Sequence, residues 1–365
     1  MTRDTTTKLV KAAVSRRRVL KGAGVAAAAL AFPMVILPRK SRAGVTITIR
    51  DPGGPFEKAF TEAYINPFNE AMKGDITAVR VAGKHEPTAQ IKAMVDTKSY
   101  EWDMALLSLA AHNLLRDAGY LEELKLGGTA YDEIKPEFKG PYFAGNDVYT
   151  AVIVYRHDVV KKPPASWADL WNVKDFPGRR SLRKHPFDTI EEALMADGVA
   201  TNKVYPCDFD RAFKSLDKIK KDVVIWWDQG AQTSQMIKTG EVDMLPTWNG
   251  RAQVAIDEGA PATMEWNQGI AGIEGWCILK GGPNMDACRK FIAFAAQAER
   301  QAAFTPHVSY GPANPNAYKH IPAERAKVLP TNPEHLKKAL LIDNDFWGKE
   351  KDKAIERFNA WLLQG

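Results

Sequence analysis

The sequence predicts an α/β fold in which a mainly parallel sheet is flanked by helices and the chain is shared between two globular domains. Three observations carry this. At 365 residues the chain is longer than one core usually serves, and 45% hydrophobic with 26% charged residues is the balance of a packed protein. Apolar runs of strand length alternate with amphipathic segments of helix length through most of the chain. One run, YTAVIVY at 149–155, has no polar alternation, as expected of a strand buried on both faces.

The first 43 residues stand apart. SRRRVLK at 15–21 fits a twin-arginine export signal, and the apolar run after it, 23–37, is broken by Pro33 and followed by a small-residue site near Ala43. That run is shorter than the roughly 20 residues a membrane span needs. Cleavage after about Ala43 is therefore expected, with an uncleaved anchor as the alternative. The rest of the chain carries 40 basic and 43 acidic residues, a formal charge of −3, so the basic balance of the whole chain belongs to this leader. A nucleic-acid partner loses its main support. Cys207, Cys277 and Cys288 remain for an oxidising compartment and allow at most one bridge. The seven histidines are scattered singly, no C-x-x-C or H-E-x-x-H occurs, and no metal or cofactor is expected.

In chain order, 45–50 (VTITIR) alternates as a first strand, and Asp51-Pro52-Gly53-Gly54-Pro55 turns into a helix with Phe56, Phe60, Tyr64 and Phe68 on one face. The two glycines serve either a tight turn or a close backbone approach to a ligand. Strands at 76–81 and 102–107 alternate with helices at 87–95 and after Ser108-Leu109, which points to parallel pairing. Ser166 is placed to cap a short helix that buries Trp167 and Trp171. Between 178 and 241 the alternation repeats, with strands at 180–182 and 222–226 and helices at 188–196, 209–218 and 231–238. Lys220, Lys221, Arg179 and Arg180 read as solvated surface. Beyond 280, Gly281-Gly282-Pro283 turns the chain, Asn284 is placed to cap a helix, 309–316 holds too many turn formers for regular structure, and a closing helix spans 351–363.

The functional signal concentrates in 241–280. A buried strand at 242–247 runs into a loop, Trp248-Asn249-Gly250, and then a helix at 251–258 closed by Gly259. In open α/β sheets ligands sit at such carboxyl ends of strands. A second apolar strand, 273–279, carries one acid, Glu274. An indole face beside a carboxylate can hold an organic cation through cation–π attraction and a charge-assisted hydrogen bond. Trp226, Trp227, Trp248, Trp266 and Trp276 crowd into 51 residues, more than a core of this size usually spends, so at least one is expected to face a ligand. An enzyme is the rival class, but Cys207 and Cys277 lie beside no histidine by motif, and Ser108, Ser166 and Ser234 lack a G-x-S-x-G elbow. A ligand-free structural protein is a third class.

ASWADLW at 165–171, Gly240-Glu241-Val242 leading to Trp248-Asn249-Gly250, and the Glu274 strand followed by Gly282-Pro283-Asn284 resemble the extracellular solute-binding proteins of ABC importers, specifically the spermidine/putrescine-binding group. The resemblance covers nearly all of the chain after the leader. It implies a two-lobed periplasmic-binding-protein fold of type II-like build, with lobes 44–150 plus 272–315 and 151–271 plus 316–365, and a small-molecule ligand held where they meet. It also implies a monomer in the periplasm that serves a membrane permease and its ATPase.

By the same resemblance Trp248 packs against the ligand's methylene chain, Glu274 holds one amine, and His185 and Asp188 stand where two acids hold the other. Phe56, Ser108 and Trp227 complete the expected site. The pattern departs from the group at three places. One of the two acids is His185, the aromatic wall of the first lobe is reduced to Phe56, and Arg251 adds a cation directly after the tryptophan motif. An unmatched buried charge costs several kcal/mol. The expected ligand is thus a polyamine or diamine, with an amino acid-like zwitterion such as 4-aminobutyrate or an opine as the alternative, its carboxylate pairing with Arg251.

Overall fold

The computed structural model describes residues 44–83 and 87–364; the expected export signal lies outside them. Twelve strands are present in the described chain. They are β1 Val45–Asp51, β2 Ile76–Ala82, β3 Met104–Ser108, β4 Leu121–Glu122, β5 Lys139–Gly140, β6 Phe143–Arg156, β7 Arg180–Arg183, β8 Val223–Trp227, β9 Met244–Trp248, β10 Ala262–Leu279, β11 Gly311–Pro312 and β12 Leu340–Leu341. The main path runs β2-β1-β3-β10-β6-β9-β7-β8, with the four two-residue strands attached beside it.

The sheet is mixed, with parallel flanks and an antiparallel centre. β1 pairs in parallel with β2 and β3, and β7 with β8 and β9, while β10 and β6 run antiparallel to each other and each to the flank strand it borders, β3 and β9. The sequence shows one end of each central strand, but both are longer. β6 has 14 residues and β10 has 18, because each passes from one hydrophobic cluster into another. In β6, Ala144 and Val148 pack with the Phe60, Trp276 and Phe143 side of the molecule, whereas Ala151 and Ile153 pack with Trp167, Leu182 and Trp347.

Most helices fall where periodicity places them, including Phe209–Ile219, Gly230–Thr239 and Asn344–Leu362, the last of which buries Trp347, Phe358 and Trp361. Several local expectations are corrected. No loop separates strand from helix at Trp248: it ends β9 and immediately precedes the helix Asn249–Asp257. Ser166 and Asn284 occupy capping positions without capping through their side chains; Asn284 instead donates to the Thr46 carbonyl and the Asp103 carboxylate. Trp167 is buried but Trp171 only partly. Arg180 is 1% exposed, its guanidinium donating to the carbonyls of Leu170, Gly178 and Phe176. An arginine can be buried when backbone oxygens meet each of its donors. Cys207, Cys277 and Cys288 are all buried and unbridged. Among the described residues no helix is long and apolar enough to cross a membrane.

Candidate ligand-binding site

A cavity of about 540 Å³ opens at the carboxyl ends of β1, β7, β8 and β9. Six of the eight expected site residues line it: Phe56, His185, Asp188, Trp248, Arg251 and Glu274. Trp227 and Ser108 do not. Trp227 is 1% exposed and stands behind Trp248, ring centroids 5.5 Å apart in an edge-to-face pair. Ser108 ends β3 and caps the helix Leu109–Asp117, its hydroxyl oxygen accepting from the Ala111 N–H at 3.2 Å. It also lies opposite Glu274 in strand register.

The Trp-Asn-Gly motif divides its work between the cavity and its support. Trp248 faces inward. Asn249 is fully buried; its side-chain amide donates to the Ser309 carbonyl at 2.5 Å and its oxygen accepts from the Thr150 N–H at 3.1 Å. It thereby ties β6 to the run at 309–316, which, against expectation, contains regular structure, the strand β11. Gly250 is required by contact: a Cβ there would sit 2.7 Å from the Tyr310 ring. Gly230 plays the same part across the cavity, where a Cβ would meet the Trp248 ring at 2.8 Å and the Arg251 Nε at 3.0 Å.

The aromatic wall is fuller than the sequence suggests. Phe56 is joined by Tyr310 at 6.0 Å and, next along, by Tyr149, which stands 5.9 Å from Tyr310 and 6.4 Å from Trp248. Tyr149 belongs to the buried run 149–155, and Tyr310 to a segment whose turn formers hide a cavity-lining residue. The β1 turn contributes backbone. Asp51 accepts from the Gly53 N–H at 2.6 Å while Arg80 clamps its carboxylate at 2.8 and 3.0 Å, and Gly53, at φ +73°, brings main chain to the cavity. The turn is thus tight, and its backbone faces the cavity.

The charged groups carry both signs. Arg251 lies against Gly230, and among the described residues no carboxylate pairs with it. Glu274 is 4% exposed and sits in register with Asp147 on β6. Burial, then the Glu274 charge, push the Asp147 carboxyl well above the usual range. Burial and Glu274 likewise raise the Tyr310 phenol, with Arg251 opposing.

The sequence reading missed Arg183, the last residue of β7. Its Nη1 donates to the Asp188 Oδ2 at 2.7 Å, and its guanidinium lies 4.8 Å from the Trp248 ring centroid and 5.6 Å from that of Trp227. Burial raises the Asp188 carboxyl, partly offset by Arg183 and by the Trp248 indole. Asp188 does not therefore stand open to a ligand amine. His185 precedes it and accepts from the Phe187 N–H through Nδ1 at 3.2 Å, which makes it the N-cap of Pro186–Ala196. A cation closing a strand, five residues before an acid, was the available signal for Arg183.

The model of the family described as bacterial extracellular solute-binding protein matches residues 63–331. The gamma-aminobutyric acid-binding protein of Pseudomonas aeruginosa is 34% identical over 329 residues, 87% of this chain and 91% of the relative. A solved GABA receptor is 32% identical with a TM-score of 0.81, covering 88% of this chain and 98% of that one. The spermidine/putrescine-binding periplasmic protein of Escherichia coli is more distant, at 25% identity over 275 residues, 72% of this chain and 77% of the relative. These relatives are solute-binding proteins rather than enzymes. The fold is that of the periplasmic binding proteins, and the chain belongs to the bacterial extracellular solute-binding protein family.

Proposed function

We propose that the chain is the solute-binding component of an ABC importer, capturing a short amino acid-like zwitterion, best represented by 4-aminobutyrate, between two lobes, 44–150 with 272–315 and 151–271 with 316–365. The observation that carries this reading is the mixed charge of one small cavity, in which Arg251 has no protein carboxylate among the described residues and Glu274 lies nearby on β10. A carboxylate on Arg251 gains a forked, charge-assisted hydrogen bond, and an ammonium on Glu274 gains another. Phe56, Tyr149, Tyr310 and Trp248 supply the apolar walls for the methylenes between. The gamma-aminobutyrate-binding relative and the solved GABA receptor support the same ligand class.

A diamine or polyamine is the second reading, favoured by the more distant relatives. It suffers from Arg251, which a second ammonium would face, and from Asp188, already bonded to Arg183. The protein acts in the periplasm after twin-arginine export, as a monomer, and its liganded form docks on a permease with its ATPase.

Calorimetric titration with four matched four-carbon ligands tests the reading: 4-aminobutyrate, putrescine, butyrate and butylamine. Saturable one-to-one binding is expected for 4-aminobutyrate, with the three others weaker by at least about tenfold. Putrescine binding as tightly as 4-aminobutyrate would reverse the assignment. Consumption of any ligand would return the enzyme class to consideration.

A further inference from the structure

We infer that Arg183 is a built-in occupant of the cation position over Trp248, and that it bars primary diamines from the cavity. The inference rests on the cavity being the ligand site. An indole face attracts a cation through its quadrupole, and the best position over it is filled once. Here the guanidinium carbon stands 4.8 Å from the Trp248 ring centroid and 5.6 Å from that of Trp227, so a protein group takes up the attraction of both rings. The buried acid suited to a second ammonium, Asp188, receives the Arg183 Nη1 at 2.7 Å and is 4% exposed.

The arrangement is held from three sides. Arg183 lies opposite Trp227 in the β7–β8 register, its carbonyl accepts from the Thr189 hydroxyl at 3.2 Å, and Asp188 adopts φ +69°, ψ −51°, a left-handed backbone that a non-glycine residue keeps only when its surroundings impose it. The pair makes one ion-pair contact rather than a fork, since the Arg183 Nε is buried without a hydrogen-bond partner. The guanidinium is thus fixed by one ion-pair contact, by the Phe187 carbonyl, which accepts from Nη1 at 3.4 Å, and by its place over the two rings. Any dication entering the cavity brings ammonium groups toward Arg183 and Arg251 together. A zwitterion brings a carboxylate to the same wall and meets attraction.

Removing Arg183 should convert the cavity. Without it the Trp248 face is vacant and Asp188 is a buried acid lacking its counter-ion, the two elements of a diamine subsite. The test titrates putrescine and 4-aminobutyrate into the wild type, Arg183→Ala, Arg183→Gln and the double variant Arg183→Ala/Asp188→Asn. Both single variants are expected to bind putrescine at least about tenfold tighter than the wild type, and the double variant to lose that gain. Should Arg183→Ala not fold, the larger neutral side chain of Arg183→Gln carries the same expectation. Folded single variants whose putrescine affinity stays within about threefold of the wild type overturn the inference. A wild type that binds putrescine as well as 4-aminobutyrate overturns the zwitterion reading itself. A wild type that prefers 4-aminobutyrate, with variants that gain nothing, overturns only the role of Arg183.

Discussion

Glu274→Gln separates binding from folding. Glu274 is 4% exposed on β10, in register between Ser108 on β3 and Asp147 on β6. Asp147 is wholly buried, and one of its carboxylate oxygens has no hydrogen-bond partner. Two carboxyls so placed repel when both ionise, so neutralising residue 274 relieves the fold while removing the partner of the ligand's ammonium. Loss of a desolvated charge partner costs about 2–5 kcal/mol of affinity, roughly 30- to 5,000-fold. At a concentration of about 100 times the wild-type Kd, a ligand stabilises by about 2.7 kcal/mol. For a chain of this size that is a rise in melting temperature of about 5 °C. The same concentration should leave the variant with a shift of about 2 °C at most, while its unliganded melting temperature holds or rises. Differential scanning fluorimetry with 4-aminobutyrate reads both quantities. A variant that keeps the wild-type shift refutes the assignment of Glu274, and one whose unliganded form melts several degrees lower refutes the argument about its neighbour.

Arg251→Ala should weaken carboxylate-bearing ligands by about 2–5 kcal/mol while leaving simple amines little changed, which calorimetry with 4-aminobutyrate and butylamine distinguishes. Gly230→Ala places a Cβ 2.8 Å from the Trp248 ring, so it should cost at least about tenfold in affinity and about 1–3 kcal/mol of stability, read by calorimetry and thermal melts. Glu191 is buried, and burial raises its carboxyl from 4.5 to about 7 although Tyr205 and Trp347 both donate to it. The folded state then binds more protons than the unfolded state between those values. The Glu191 contribution to stability should fall by about 3 kcal/mol as pH rises from about 4.5 to 7 and change little above. In pH-resolved melts Glu191→Gln should flatten that slope, since its amide oxygen still accepts both hydrogen bonds.

Periodicity made most of the fold legible. Strand 45–50, the helix at 209–218 and the closing helix all carry their spacing openly, because burial on one side leaves a repeating trace. The length of β6 and β10 was not legible, since a strand shared by two clusters has no single pattern, and the first half of β10, at 263–268, is only partly buried. The site was legible where one motif concentrates it, at Trp248, Arg251 and Glu274. Arg183, Tyr149 and Tyr310 were not, because each reaches the cavity from a different element and sequence spacing carries no record of that meeting. Arg183 also changed the chemistry. Asp188 read as an open acid in the sequence is, in the fold, half of an ion pair.

The most direct test is a crystal structure of the complex with 4-aminobutyrate. The ligand carboxylate should lie within about 3 Å of the Arg251 guanidinium and its nitrogen within the same distance of the Glu274 carboxylate, with the methylenes beside Trp248. A ligand bound outside this cavity, or one with its nitrogen toward Arg251, would contradict the account.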